Sequence, residues 1–83
     1  KQTMIEVDTR DRLGLLYNIT NTLFRNQITI RSAVIATYGE QAVDTFYVND
    51  LFGEKISSSQ KLEQVRKELL FYLDKHFKKA LKN

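Results

Sequence analysis

The residues of this chain best suited to binding chemistry lie in a short segment, positions 11–16, where Asp11 and Arg12 precede Leu13, Gly14 and Leu15. The sequence before the segment alternates as a strand does, and the apolar residues after it recur at helical spacing. A strand, a glycine turn and a helix N-terminus bring several unpaired backbone N–H groups to one point. Such a point can hold the carboxylate of a small amino acid. Ordinary strand-to-helix connections have the same form, so the segment is interpreted together with the rest of the chain.

Residue types that perform catalysis are not combined into a recognisable site. No nucleophile stands at a plausible separation from a base, no cluster of metal ligands occurs, and no glycine-rich loop has the spacing of a phosphate-binding loop. The chain has no cysteine, which excludes disulfides and thiolate metal sites. His76, the only histidine, lies among lysines and is expected at the surface. We therefore expect no enzymatic activity, no metal and no cofactor in this chain.

Length and charge narrow the class of protein. Eighty-three residues predict one small domain, with its core at about residues 3–73 and a lysine-rich helical tail at 74–83. The net charge of +3 is modest and no basic stripe is interleaved with aromatics, so nucleic-acid binding is not expected. No apolar run approaches the roughly 20 residues that span a bilayer, so we expect a soluble, cytoplasmic protein without a membrane partner. A first residue that is lysine suggests a domain of a longer protein.

The first half of the chain predicts a strand and an amphipathic helix. Residues 3–9 alternate, with Ile5 and Val7 facing the core. Residues 13–25 carry apolar side chains at helical spacing, which predicts a helix that lies on a sheet. Asn26 and Gln27 end this helix, since asparagine tolerates the left-handed conformation that closes many helices.

The second strand, about residues 28–38, changes the phase of its apolar positions midway. Ile28 and Ile30 share one face, whereas Ala33 and Ile35 share the other. A slip of one residue between these pairs predicts a β-bulge near Arg31 and Ser32. The alternative is a strand that is covered on both faces.

A hairpin turn at Gly39 joins this strand to a third one at about residues 42–49, and a turn around Gly53 follows. Ser57 and Gln60 have the spacing of a capping box, which predicts a long helix from about residue 58 to residue 80. The apolar residues of that helix recur every three or four positions.

The third strand carries apolar surface on both faces. Phe46 and Val48 lie in one phase, and Val43, Thr45 and Tyr47 lie in the other. A sheet with helices on one side normally has a polar opposite face, so the second set predicts an interface with another chain or domain. The alternative is an exposed tyrosine among residues that favour strands.

Asp44 lies in the same phase as Phe46, where an unpaired carboxylate is costly to bury. We expect it to pair with Arg31 or Arg12 across the sheet. Arg12 is equally compatible with a solvated position.

The predicted order strand, helix, strand, strand, helix indicates an α+β fold. It is a ferredoxin-like sandwich, βαββα with the last strand missing, in which two helices cover one face of an antiparallel sheet.

Several motifs of the chain resemble the ACT domain family, and they are closest to the C-terminal ACT repeats of bacterial protein-PII uridylyltransferases. The resemblance covers roughly residues 3–56. Leu13 stands where the family usually has proline. The motifs that carry the resemblance follow one another at matching distances: Val7, residues 11–16, Ile30 with Ser32 and Ala33, residues 37–40, and residues 43–48.

The resemblance implies a regulatory domain that binds a small amino acid, with glutamine foremost, between its first loop and a neighbouring ACT unit. The neighbour is a second copy in a homodimer or an adjacent repeat. The implied ligand contacts are Asp11, Arg12, Leu13, Gly14, Leu15, Asn26, Gln27 and Ile28. Two alternatives remain open, because Asp11 also suits the positive end of a helix and residues 26–28 also suit a plain helix stop. A pure association module without a ligand is the alternative function.

Overall fold

The structure, a computed structural model, describes residues 1–10 and 13–82, with side chains as far as residue 73. The elements occur in the predicted order βαββα: β1 (Thr3–Arg10), α1 (Leu15–Arg25), β2 (Thr29–Tyr38), β3 (Gln41–Asn49) and α2 (Ser59–Lys82). Asp11, Arg12 and the side chains of the predicted lysine-rich tail, His76 among them, lie outside this description. No helix in the described part of the chain is both long and apolar enough to cross a bilayer.

The sheet has three antiparallel strands in the order β1-β3-β2. β3 therefore lies in the centre and pairs with both neighbours, β1 from Thr3 opposite Val48 to Arg10 opposite Gln41. This arrangement confirms the predicted α+β, ferredoxin-like fold with two helices. The outer edges of β1 and β2 are left without a strand partner among the described residues.

The core lies between the sheet and the helices. Alternate residues of β3, from Ala42 to Val48, are buried on the side that faces the helices. The prediction that Phe46 and Val48 share the core phase is therefore confirmed. The buried apolar side chains come from β1, α1, β3, α2 and the connections before β2 and α2, whereas β2 adds only the partly buried Ile30. The buried set is Val7, Leu15, Ile19, Leu23, Ile28, Ala42, Phe46, Val48, Ile56, Val65 and Leu69.

A register shift in β2 confirms the predicted bulge. Ile30 lies opposite Val48, and the next core-side pair is Ala33 opposite Phe46, so Arg31 is the extra residue. The extra residue brings the two apolar phases of β2 onto one face of the sheet. Within the single chain β2 is not covered on both faces, since residues 31–35 are all exposed.

Both helices begin later than the sequence predicts. Gly14 has φ 82° and ψ 0°, so it serves as the N-cap of α1 and the helix begins at Leu15 rather than at Leu13. In α2 the cap is Ser58 rather than Ser57, because the Ser58 hydroxyl accepts a hydrogen bond from the Lys61 N–H at 3.2 Å. With Ser58 as the cap, the residue three positions later is Lys61, where a capping box needs glutamate or glutamine. The predicted capping box is therefore wrong.

The end of α1 is a Schellman motif. The N–H of Ile28 donates to the carbonyl of Leu23 and the N–H of Gln27 donates to the carbonyl of Phe24, both at 3.0 Å. The left-handed residue is Gln27, with φ 61°, whereas Asn26 has φ −95°. The stop itself is where the sequence predicts it, but glutamine takes the conformation that we had associated with asparagine.

The strain at Gln27 gives a stability prediction. We expect Gln27→Gly to raise the free energy of unfolding by about 1 kcal/mol, because glycine adopts positive φ without the steric cost of a Cβ. Urea denaturation followed by circular dichroism measures the change. Asn26→Gly is the matched control and should lower stability, since it removes an amide side chain that bonds to both helices. A Gln27→Gly variant no more stable than the parent would contradict this account of the helix end.

Candidate functional site

The loop between β1 and α1 has an open geometry. Gly14 takes a left-handed conformation, and a Cβ placed on it would meet no atom within 4 Å. Leu13 is fully exposed, whereas Leu15 is buried and fixes the start of α1 against the core. The backbone around Gly14 is therefore accessible to a small molecule.

The first turn of α1 supplies hydrogen-bond donors without side-chain acceptors. Its first intrahelical bond runs from the N–H of Asn18 to the carbonyl of Gly14 at 3.0 Å, so the N–H groups of residues 15–17 have no partner within the helix. No side-chain cap and no acidic residue occupies this turn in the described part of the chain. The helix dipole adds partial positive charge at the same point. This end of α1 can therefore bind an anionic group such as a carboxylate.

Asp44 is the buried carboxylate of the sheet. It lies on the core-facing side of β3, opposite Val7 and Ile35, and is 1% exposed. Arg31 is exposed on the bulge, and Arg12 falls outside the described residues. The predicted pairing of Asp44 with one of these arginines stays a prediction.

Asn26, Gln27 and Ile28 lie at the far end of α1. Eleven helical residues, or about 16 Å of helix at 1.5 Å per residue, separate them from Gly14. A single chain therefore does not bring the two predicted halves of the ligand site together. A site that contains both must use the loop of one unit and residues 26–28 of another.

The three residues differ in what they can offer a ligand. Asn26 already bonds inside the chain, since its amide donates to the carbonyl of Thr22 at 2.8 Å and to Glu68 Oε1 at 3.0 Å. Ile28 is buried in the core, whereas the side chain of Gln27 is exposed. Gln27 is the member of this group whose side chain is best placed to contact a ligand.

An apolar groove, which the sequence analysis missed, runs between α1 and the start of β2. Its apolar lining consists of Tyr17 and Phe24 of α1, Ile28 and Ile30 at the start of β2, and Leu51. Tyr17 is 70% exposed and Phe24 is 78% exposed, so neither belongs to the core side of α1. The available signal was their spacing of seven residues, which puts both on a second side of the helix.

The second face of the sheet, which points away from the helices, is charged on its β1 side and uncharged on its β2 side. Val43, Thr45 and Tyr47 are half-buried on β3. Their partners on β1 include Glu6 and Asp8, whereas their partners on β2 are all uncharged. An interface through this face stays a prediction, and its apolar part lies on the β2 side.

Within the residues that the structure describes, no group of three or more His, Cys, Asp or Glu side chains is placed to hold a metal ion. In the described part of the loop, the groups that can bind a ligand are the backbone N–H groups at the start of α1.

Comparisons with known proteins agree with the motifs. A model of the ACR family N-terminal ACT domain matches residues 1–74. The bifunctional uridylyltransferase/uridylyl-removing enzyme of Cereibacter sphaeroides is 60% identical over 67 residues, which are 81% of this chain and 7% of that enzyme. The enzyme of the same name from Azospirillum brasilense is 52% identical over 71 residues, 86% of this chain and 8% of that enzyme.

These matches cover most of this chain but less than a tenth of the length of the curated relatives. They extend across the described β1, α1, β2 and β3, the elements that build and support the loop. The chain therefore belongs to the ACT domain family and is a regulatory domain, as its motifs predict.

Proposed function

We propose that this domain binds a small amino acid, most favourably glutamine, and thereby regulates a uridylyltransferase of nitrogen metabolism in the cytoplasm. The observation that carries the proposal is the uncapped start of α1 at Gly14, which leaves backbone donors open beside a positive helix end. Relatives named as bifunctional uridylyltransferase/uridylyl-removing enzymes support the regulated activity.

The chemistry of recognition follows from the loop. Backbone N–H groups of Leu13, Gly14 and Leu15 bind the α-carboxylate, and bonds to an ionised acceptor are roughly twice as strong as neutral ones. Asp11 accepts hydrogen bonds from the ammonium or the side-chain amide of the ligand. Arg12, the next residue in the sequence, contributes a positive charge that favours a carboxylate ligand.

A neighbouring unit completes the pocket with Gln27 and its adjacent residues Asn26 and Ile28. This division is supported by the distance between the two ends of α1, which is too large for one ligand to bridge within a chain. The ligand then stabilises the docked pair of units by its extra affinity for that arrangement, and such coupling typically amounts to about 1–3 kcal/mol.

Calorimetry tests the ligand. We expect glutamine to bind the chain with measurable heat. Glutaminamide, in which a neutral amide replaces the α-carboxylate, should bind at least about tenfold more weakly, because the loop N–H groups lose an ionised acceptor and keep only a neutral one. A panel of other amino acids defines the selectivity. Flat titrations across the panel with a folded protein would exclude direct sensing.

Gly14→Val tests the loop itself. The β-branched side chain occupies the open space above the amides and strains the left-handed backbone, so we expect at least about a tenfold loss of glutamine affinity. Gly53→Val is the matched control, because Gly53 has φ 78° and equally open surroundings in a different loop. Both variants should lose about 1–2 kcal/mol of stability, but only Gly14→Val should lose ligand. Equal ligand loss in both would contradict the assignment of the site.

A second candidate is the association module. It is favoured by the half-buried Val43, Thr45 and Tyr47 together with Val34, a 57% exposed apolar residue of the same face. In this function the second face of the sheet drives dimerisation or repeat docking without a ligand.

Tyr47→Lys separates the two candidates. We expect it to weaken self-association by at least about tenfold in sedimentation experiments, because it puts a charge at the centre of an apolar contact. Tyr17→Lys, a similar change on α1, is the control and should leave association unchanged. Association that survives Tyr47→Lys would exclude this face as the interface.

A further inference from the structure

Gln27 has a backbone conformation that glycine adopts at lower cost. In the part of the chain that the structure describes, it is the only residue other than glycine with a positive φ, 61°. A left-handed backbone brings the Cβ of an L-residue too close to the following carbonyl oxygen. Strain of this kind persists where the surrounding structure enforces it, and it is common at ligand sites. The side chain of Gln27 is exposed, so core packing does not explain why glycine is absent here.

The residues on either side of Gln27 are both held in place. Ile28 is buried in the core at 5% exposure. Asn26 is half-buried, and its Nδ2 donates to the carbonyl of Thr22 at 2.8 Å and to Glu68 Oε1 at 3.0 Å. The second of these bonds crosses from the end of α1 to α2. Gln27 therefore lies between a residue that the core holds and a residue that α2 holds, which fixes the direction of its side chain.

Glu68 is the centre of the contact between α2 and the end of α1. Its Oε1 accepts the hydrogen bond from Asn26, and its Oε2 accepts one from the amide of Gln64 at 3.2 Å. The Gln64 amide also lies 3.4 Å from Asn26 Oδ1, where it donates a longer hydrogen bond. A hydrogen bond to an ionised acceptor is roughly twice as strong as a neutral one. Glu68 is therefore the residue of α2 that holds Asn26 most strongly.

The contact of Arg25 with the same carboxylate is weaker. Nη1 of Arg25 lies 3.9 Å from Oε1 of Glu68, and the two side chains are 45% and 30% exposed. Ion pairs at such exposure contribute little, because water and salt screen them. The shorter contact of Arg25 is with Tyr72, whose hydroxyl accepts a hydrogen bond from Nη2 at 3.2 Å. The bond to Asn26 is therefore the one through which Glu68 acts on the end of α1.

We propose that Glu68 of α2 is a positioning residue of the amino-acid site. By holding Asn26, Glu68 fixes the left-handed turn that presents the Gln27 side chain to a ligand bound at the Gly14 loop of a neighbouring unit. This role rests on the proposed binding of an amino acid by the domain. Because coupling between two equilibria is reciprocal, the bound ligand also stabilises the contact between α1 and α2, so α2 responds to occupancy of the site.

Calorimetry with glutamine tests this role on the chain and three variants. We expect Glu68→Ala to lower glutamine affinity by at least about fivefold, because Asn26 loses its acceptor on α2. Glu68→Gln should restore part of the affinity, since it keeps a neutral oxygen acceptor for Asn26. Glu63→Ala is the matched control and should leave affinity unchanged, because it removes the same charge from an exposed residue of α2 that pairs with Arg66 of the same helix.

The outcomes separate this role from the proposed function. Glutamine binding by Glu68→Ala equal to that of the parent chain would overturn the role of Glu68 and leave the proposed function intact. Equal losses in Glu68→Ala and Glu63→Ala would also overturn it, since a general effect of charge would then explain both. Absence of glutamine binding by the parent chain would overturn both proposals.

A double-mutant cycle separates positioning from a general loss of stability. Gln27→Ala removes the side chain that Glu68 positions and should itself weaken glutamine binding. Addition of Glu68→Ala to that variant should cause no more than about a twofold further loss of affinity. Losses that multiply in full would show that Glu68 does not act through Gln27 and would overturn its positioning role.

Amide hydrogen exchange reports on the turn directly. The N–H of Ile28 donates to the carbonyl of Leu23 across this turn, and it should exchange faster in Glu68→Ala than in the parent chain or in Glu63→Ala. Saturation with glutamine should slow its exchange in the parent chain. Exchange at Ile28 that is unchanged by Glu68→Ala would contradict the hold of α2 on the end of α1.

Discussion

The central position of β3 is the constraint on which the rest of the structure depends. β3 forms hydrogen-bonded ladders with both other strands, and the same strand supplies Phe46 and Val48, the most deeply buried apolar side chains of the sheet. Because side chains alternate along a strand, a shift of one residue in this register would move its whole core face to the solvent. The neighbouring strand β2 must also keep its apolar residues on the core side. The bulge at Arg31 achieves this, since it brings two sets of apolar residues onto one face of the sheet.

Two left-handed residues set the position of α1 on this sheet. Gly14 precedes the first helical residue, and the first N–H groups of α1 have no partner within the helix. At the other end, the turn at Gln27 provides N–H donors for the carbonyls of Leu23 and Phe24. Near the closed end, Asn26 and Arg25 contact Glu68 and Tyr72 of α2, with the Arg25 guanidinium 5.8 Å from the centre of the Tyr72 ring. One end of α1 is thus held by α2, whereas the other remains available to a ligand.

The exposed apolar surface of this small domain divides into three chemically different regions. One groove beside α1 is lined by Tyr17 and Phe24, the sheet face that points away from the helices is uncharged on its β2 side, and a second groove between β1 and α2 is lined by leucines together with Glu6 and Arg66. Two helices cannot cover both faces and both edges of a three-stranded sheet, so these regions suit contacts with other units.

The sequence by itself determined the element order, the bulge, the turns at Gly39 and Gly53 and the family, because these depend on local periodicity, glycine backbone freedom and motifs. It also determined that a glycine loop precedes a helix. Only the tertiary structure decided the helix starts, the residue that closes α1 and the exposure of Tyr17 and Phe24, since these depend on which neighbour covers each surface. The separation of Gly14 from Gln27 along α1 is the clearest case: the sequence predicts ligand contacts at both residues, but a rigid helix keeps them apart within one chain.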